Sequence, residues 1–155
     1  MGLVSNAPHQ DLTYRIIGAA MAVHNDLGPG HREEVYQRAL AAKFREIGLS
    51  FEEQVPLPVE TNEGEVILVY RMDYLVDQAV PVEIKAYSHP LTRDDLAQVI
   101  DYLAGSQVRP SGSIPGGFLV ALLINFGRPR LEFRRVFPPR QVSEHRRQKW
   151  GKRRW

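Results

Sequence analysis

The sequence predicts one mixed domain of helices and strands, of the α/β or α+β class. Three observations lead there. Apolar residues recur at helical spacing in two N-terminal blocks, 11–27 and 32–47. Three β-branched, strand-like runs with turn chemistry between them fill residues 51–86. A further helical block and two last strand-like runs then complete the order helix, helix, three strands, helix, strand, strand. A chain of 155 residues is long enough to bury a single core, and neither an internal repeat nor a second domain is visible. At 43% hydrophobic and 25% charged residues the composition is that of an ordinary globular protein. The absence of cysteine excludes disulfides, thiolate catalysis, Cys-ligated zinc and iron–sulfur clusters, and leaves the redox compartment open.

The first helix, about Asp11 to Leu27, carries Ile16, Ile17, Ala20, Met21, Val23, His24 and Leu27 at helical spacing and is broken by Gly28-Pro29-Gly30. His24 faces the apolar side, where a packed, hydrogen-bonded core histidine is expected rather than a ligand. The second, about Arg32 to Ile47, places Val35, Tyr36, Ala39, Leu40 and Phe44 on its buried stripe, with Gly48 positioned to cap it. Glu33 falls in its first turn, where the helix dipole favours a carboxylate in any case. Glu33 and Tyr36 share a face and both could point into a cleft, which spacing alone does not decide. Phe51 to Val59 reads as a strand, with Pro56 and Pro58 pointing to an edge or an irregular end. Thr61-Asn62-Glu63-Gly64 supplies a turn.

Strands over 66–76 and 80–86 follow, enclosing Asp77, Gln78 and Ala79. If those three form the hairpin loop, Val76 faces Val80 and Asp73 lies opposite Glu83. Opposed residues have Cβ atoms roughly 4.5–5.5 Å apart, near enough for two carboxylates to share a cation. Lys85, two residues beyond Glu83, points to the same face. A slip of one residue would destroy the cluster. An inert ion pair of Lys85 with Glu83 or Asp73 is the competing reading.

After Ser88-His89-Pro90, Thr92 is a suitable N-cap with Asp95 in the third position, and Leu96, Val99, Ile100 and Leu103 form the core face of a third helix. Gln98 and Tyr102, at i and i+4, lie along one flank, or else are simply a surface Gln and a half-buried Tyr. Arg109 to Gly117, rich in Pro, Gly and Ser, is expected to be a mobile loop. The apolar run Phe118 to Asn125 suits a strand buried on both faces, and Leu131 to Phe137 alternates as a last strand before Pro138-Pro139.

The net charge of +2 conceals an asymmetry. From Arg140 onward seven basic residues oppose Glu144 alone, a local charge of +6 that leaves −4 on residues 1–139. The tail suits a polyanionic partner. Equally, it suits a solvated, self-repelling segment. Met1 to Gln10 holds no basic region followed by an apolar run, and no stretch approaches the ~18 apolar residues of a membrane span. No signal peptide, no membrane partner and a cytoplasmic location are therefore expected. The expected domain is 11–139, with 1–10 as an extension and 140–155 as a basic tail.

Gly30-His31-Arg32-Glu33-Glu34-Val35-Tyr36 resembles the motif that names the GxxExxY family. Leu27-Gly28-Pro29-Gly30, Arg71 with Asp73, Glu83-Ile84-Lys85-Ala86 and Leu123-Ile124-Asn125-Phe126-Gly127 are similar to that family too, so the likeness runs from about Ile16 to Val136. That family is placed within the PD-(D/E)XK nucleases, and Gln98 with Tyr102 resembles the Q-x-x-x-Y element of their exonuclease-like branch. The resemblance implies a restriction-endonuclease-like core, a mixed central β-sheet flanked by helices. It implies that Asp73, Glu83 and the backbone carbonyl of Ile84 hold Mg²⁺ or Mn²⁺, with Glu33 completing the site through a water or a second metal. Lys85 would orient or activate the attacking water, and Gln98 and Tyr102 would steady Lys85 or a phosphate. Met72 stands in place of the Pro of the superfamily motif, a Pro that many members lack.

The chemistry agrees: phosphodiester hydrolysis needs a hard cation, which carboxylates hold well, and a protonated lysine can position an anion. The expectation is thus a metal-dependent nuclease acting on DNA. The alternative is an inactive nucleic-acid-binding or assembly module on the same fold. A lone core that must cut both strands would favour a homodimer, though no residue specifies one.

Overall fold

In the computed structural model, which describes residues 7–105 and 117–150, the periodic N-terminal segment folds as α1 (Gln10–Leu27). The second block is α2 (Glu33–Glu46). Its end is fixed by Gly48, whose φ of +74° is the left-handed conformation a side chain resists. The amide of Leu49 donates to Phe44 O at 2.9 Å and that of Gly48 to Arg45 O at 3.2 Å, so orphan carbonyls of the last turn are satisfied.

The strands β1 (Phe51–Glu60), β2 (Val66–Val76) and β3 (Val80–Lys85) form an antiparallel meander. A crossover through α3 (Arg93–Gly105) brings β4 (Ala121–Asn125) parallel to β3, and β5 (Glu132–Val136) closes the far edge antiparallel. The sheet order is β1-β2-β3-β4-β5, with the proline-bearing β1 at the edge. Loss of ladder donors at Pro56 and Pro58 costs nothing on that side.

Each face of the sheet is covered. Tyr74, Val76, Val80, Val82, Ile84, Leu122 and Ile124 pack against α1 and α2. Met72, Leu75, Ala121 and Leu123 pack against Val99, Tyr102 and Leu103 of α3. Period-two alternation along β3 therefore sends Glu83 and Lys85 to the α3 side. His24 lies in the core with its Nε2 2.8 Å from Arg128 O.

Two elements differ from the sequence reading. The apolar run begins as strand only at Ala121, because the partner residues on β3 are Val82 to Lys85. Phe118 and Val120 are buried ahead of it, while Leu119 is 46% exposed. The basic segment opens as a helix, α4 (Arg140–Trp150), rather than as unstructured tail. Arg, Gln, Glu and Lys are good helix formers, and Arg140 Nε pairs with Glu144 Oε1 at 2.8 Å one turn on. Of the expected loop at 109–117, residues 109–116 lie outside the described residues. No helix among the described residues is long and apolar enough to cross a membrane.

Beyond β3 the chain is clamped by β4. Asn125, fully buried, accepts from Tyr87 N at 2.9 Å and Gly127 N at 3.1 Å and donates to His89 O at 3.0 Å and Glu132 Oε1 at 3.2 Å. A Cβ on Gly127 would lie 2.5 Å from the Tyr87 carbonyl carbon and 2.6 Å from that of Ala86. Backbone cannot yield there as a side chain can. Gly127→Ala is expected to destabilise the protein by about 3 kcal/mol, measured by urea denaturation.

Candidate active site

The loop of Asp77, Gln78 and Ala79 sets the hairpin register, with Val76↔Val80, Leu75↔Pro81 and Tyr74↔Val82 as partners. Asp77 and Gln78 both have positive φ, 52° and 53°, a twist suited to a tight hairpin. One step further along that register stand Asp73 and Glu83, and there the ladder ends. On its other side β2 also loses its partner at the same residue. Glu53 pairs with Tyr74 and Val55 with Met72, but Gln54, at φ 52°, makes no ladder pair with Asp73. Asp73 is thus where β2 is released from both neighbours. Its side chain replaces the missing strand contact: the Ile84 amide donates to Asp73 Oδ2 at 2.9 Å. Asp73 and Glu83 are both buried, at 9% and 6% exposure.

From the α3 side a continuous polar chain reaches this pair. Thr92 and Asp95 cap α3 reciprocally, with Thr92 N donating to Asp95 Oδ2 at 2.8 Å and Asp95 N to Thr92 Oγ1 at 3.2 Å. The helix so started carries Gln98 and Tyr102 one turn apart. Lys85 Nζ donates to Gln98 Oε1 at 3.1 Å, Gln98 Nε2 donates to the Tyr102 hydroxyl at 2.9 Å, and that hydroxyl donates to Glu83 Oε2 at 2.9 Å. Lys85 Nζ closes the ring at 4.0 Å from Glu83 Oε1. Tyr102 is fully buried rather than half-buried, and its hydroxyl also lies 3.2 Å from Arg71 O. Every polar atom of the Gln98 amide has work here, which fixes the amide's orientation.

Burial, followed by the charge of Asp73 and a hydrogen bond with it, pushes Glu83 from 4.5 up to about 8, against the pull of Tyr102 and Lys85. Burial also raises the Tyr102 phenol, and the Glu83 charge adds to this. Glu33, the first residue of α2, is exposed at the rim. Partial burial and then Asp73 raise its carboxyl, while Lys85 lowers it, so it shares one electrostatic field with the pair. Among the described residues no three acidic or histidine side chains converge on one point that could hold an ion. Asp73 and Glu83 share a side-chain hydrogen bond, whereas Glu33 is linked to Asp73 by charge alone.

Tyr36 does not enter the cleft. It is fully buried, stacked on Phe126 with ring centroids 4.8 Å apart, and its hydroxyl donates to Gly28 O at 2.5 Å and accepts from His31 N at 3.2 Å. A tyrosine at the third position after Glu33 is on the inner face of α2, so it ties the Gly28–Gly30 loop down and thereby fixes where α2, and Glu33, begin.

Sequence reasoning did not single out Gln54, and it named Arg71 and Asn125 only as part of the resemblance, without a role. Gln54 Nε2 lies 3.5 Å from Asp73 Oδ1, and Arg71 both offers its carbonyl to Tyr102 and donates from Nη1 to Gln54 O at 3.1 Å. A polar residue between Glu53 and Val55 on an edge strand carries no signal that distinguishes it from solvated surface. Asn125 was detectable as the single polar residue ending an apolar run.

The mixed sheet with a helical crossover into a parallel strand, and acidic residues where β2 and β3 part, define a restriction-endonuclease-like α+β core. A family model described as the PD-(D/E)XK nuclease superfamily matches residues 10–136, and the chain belongs to that superfamily. Comparison with curated proteins gives no significant match.

Proposed function

We propose that this protein is a divalent-cation-dependent nuclease hydrolysing DNA phosphodiester bonds, and that within its superfamily it is a GxxExxY protein. The observation that carries the reading is the buried contact of Asp73 with Glu83 beside Lys85. Two carboxyls in contact within a sheet favour a proton or a cation between them, since burying both charges unpaired is costly. Oxygen donors of this kind, without sulfur, fit Mg²⁺ or Mn²⁺. Asp73, Glu83 and the Ile84 carbonyl would hold the ion, with Glu33 reaching it through water. When bound, it lowers the pKa of a water and polarises a phosphoryl oxygen.

The chain's own residues do the rest. Tyr102 holds Glu83 through Oε2 at 2.9 Å, leaving Oε1 as the freer ligand atom. Gln98, 3.1 Å from Nζ, aims the Lys85 ammonium along the same face of β3, where it positions an anionic phosphate and the attacking water. Residues 11–139 constitute the nuclease domain on this reading, and the positive charge of the segment from Arg140 onward adds attraction for a polyanion without specifying sequence. The substrate strand would approach across Glu33 and the N-terminal end of α3.

The test is incubation of the purified protein with single- and double-stranded DNA in manganese or magnesium. Cleavage that disappears on chelation and falls by about 10³-fold in Asp73→Ala is expected. Absence of cleavage, or cleavage that survives that substitution, overturns the reading.

A further inference from the structure

An aromatic pair beside this site has no part in either core. Tyr87, two residues beyond Lys85, stacks on His89 with ring centroids 4.5 Å apart and planes 20° from parallel. His89 is exposed and Tyr87 half-buried, and neither belongs to the clusters on the two faces of the sheet. Stacking two rings at the surface buries little area, yet the segment is held unusually firmly. Asn125 binds it from both ends, at Tyr87 N and His89 O, and Arg128 Nη1 approaches Ser88 O at 3.4 Å. The Tyr87 hydroxyl donates to Asp95 Oδ1 at 3.3 Å, so the ring is pinned to the capping residue of α3. Gly127 gives the close approach that this clamping requires. The Tyr87 ring thus bridges the end of β3, which carries Lys85, and the first turn of α3.

We propose that the Tyr87–His89 stack is a platform for an unpaired base of the substrate strand, next to the phosphate positioned by Lys85. This rests on the nuclease reading and narrows its substrate to single-stranded or frayed DNA. A rigid aromatic surface with one open face loses little entropy on binding, and any base presents a π-face to it. A base inside a duplex is already stacked on both sides, so it gains nothing from the platform without being pulled out.

The test compares short single-stranded oligonucleotides, intact or carrying an abasic residue scanned along the positions flanking the cut, with wild type, His89→Ala and His89→Trp. In manganese, His89→Ala is expected to weaken the intact strand by roughly 5- to 100-fold, the loss falling on KM rather than kcat. At one abasic position the wild type shows the same loss and the alanine substitution adds nothing to it. His89→Trp restores the intact strand. Equal effects of His89→Ala on intact and abasic strands at every position, or no effect on either, overturn the platform. Should the wild type cut nothing, the nuclease reading fails, and fluorescence anisotropy in calcium then decides the platform separately. Equal affinity of wild type and His89→Ala for the intact strand overturns it.

Discussion

Glu83→Gln is expected to end cleavage and, in the metal-free protein, to raise stability above about pH 8. The carboxyl of Glu83 is pushed from 4.5 up to about 8, by burial first and then by Asp73. An acid whose folded pKa is raised contributes stability that is fully present below its unfolded value of 4.5 and lost as pH rises through about 8. Across that window the slope approaches about 1.4 kcal/mol per pH unit. Gln carries no charge to bury and still accepts from the Tyr102 hydroxyl, so its stability does not follow the decline. The variant's advantage should reach on the order of 5 kcal/mol in alkaline buffer with chelator, relative to that below pH 4.5. Urea denaturation at a series of pH values measures it. Added manganese is expected to invert the ranking, because a cation that binds only the folded wild type stabilises it by mass action. Parallel pH curves for the two proteins would show that the Glu83 carboxyl is not held up by its surroundings.

Lys85→Ala carries the second large effect, a fall of about 10³-fold in cleavage with the fold retained. Retention is expected because Lys85 is the last residue of β3, its partner at the strand level is Asn125, and its ammonium serves neither core cluster. Lys85→Arg should rescue little: a planar guanidinium does not reproduce the single 3.1 Å contact of Nζ with Gln98 Oε1. Gln98→Ala leaves the ammonium in place but unaimed and should cost about tenfold. Single-turnover cleavage across the three variants separates charge from aim. A Gln98 effect as large as that of Lys85 would assign the amide a direct contact with substrate.

Much of this was readable in the chain because strand periodicity and loop length are local properties. Three loop residues after Val76 fix the pairs Val76↔Val80 to Tyr74↔Val82 without tertiary information, and Asp73 and Glu83 fall at the next step, where the ladder stops instead of pairing them. Likewise Thr92 and Asp95 form the cap that their spacing implies. What could not be read is set by contacts distant in sequence. The release of β2 at Asp73 depends on Gln54, nineteen positions away, adopting a positive φ. Tyr36 shares a helical stripe with Glu33, yet the inner part of that stripe meets Phe126, and only packing distinguishes the two ends of one face. The segment from Arg140 was read through its charge, whereas its helix-forming residues decided its local structure. The ring of Lys85, Gln98, Tyr102 and Glu83 joins β3 to α3 across 13 to 19 positions; spacing gave only the shared flank of Gln98 and Tyr102, and the family resemblance alone implied that they steady Lys85.

The central claim is that Asp73 and Glu83 hold a proton in the absence of metal and a divalent cation in its presence. Titration calorimetry with Mn²⁺ near pH 7, repeated in buffers of different ionisation enthalpy, tests it most directly. With Glu83 held up to about 8, binding should release close to one proton, approximately 0.9 at that pH, and Asp73→Asn should abolish both the binding and the release. Binding with no proton released, or binding indifferent to Asp73→Asn, would contradict the assignment of the ion to this pair.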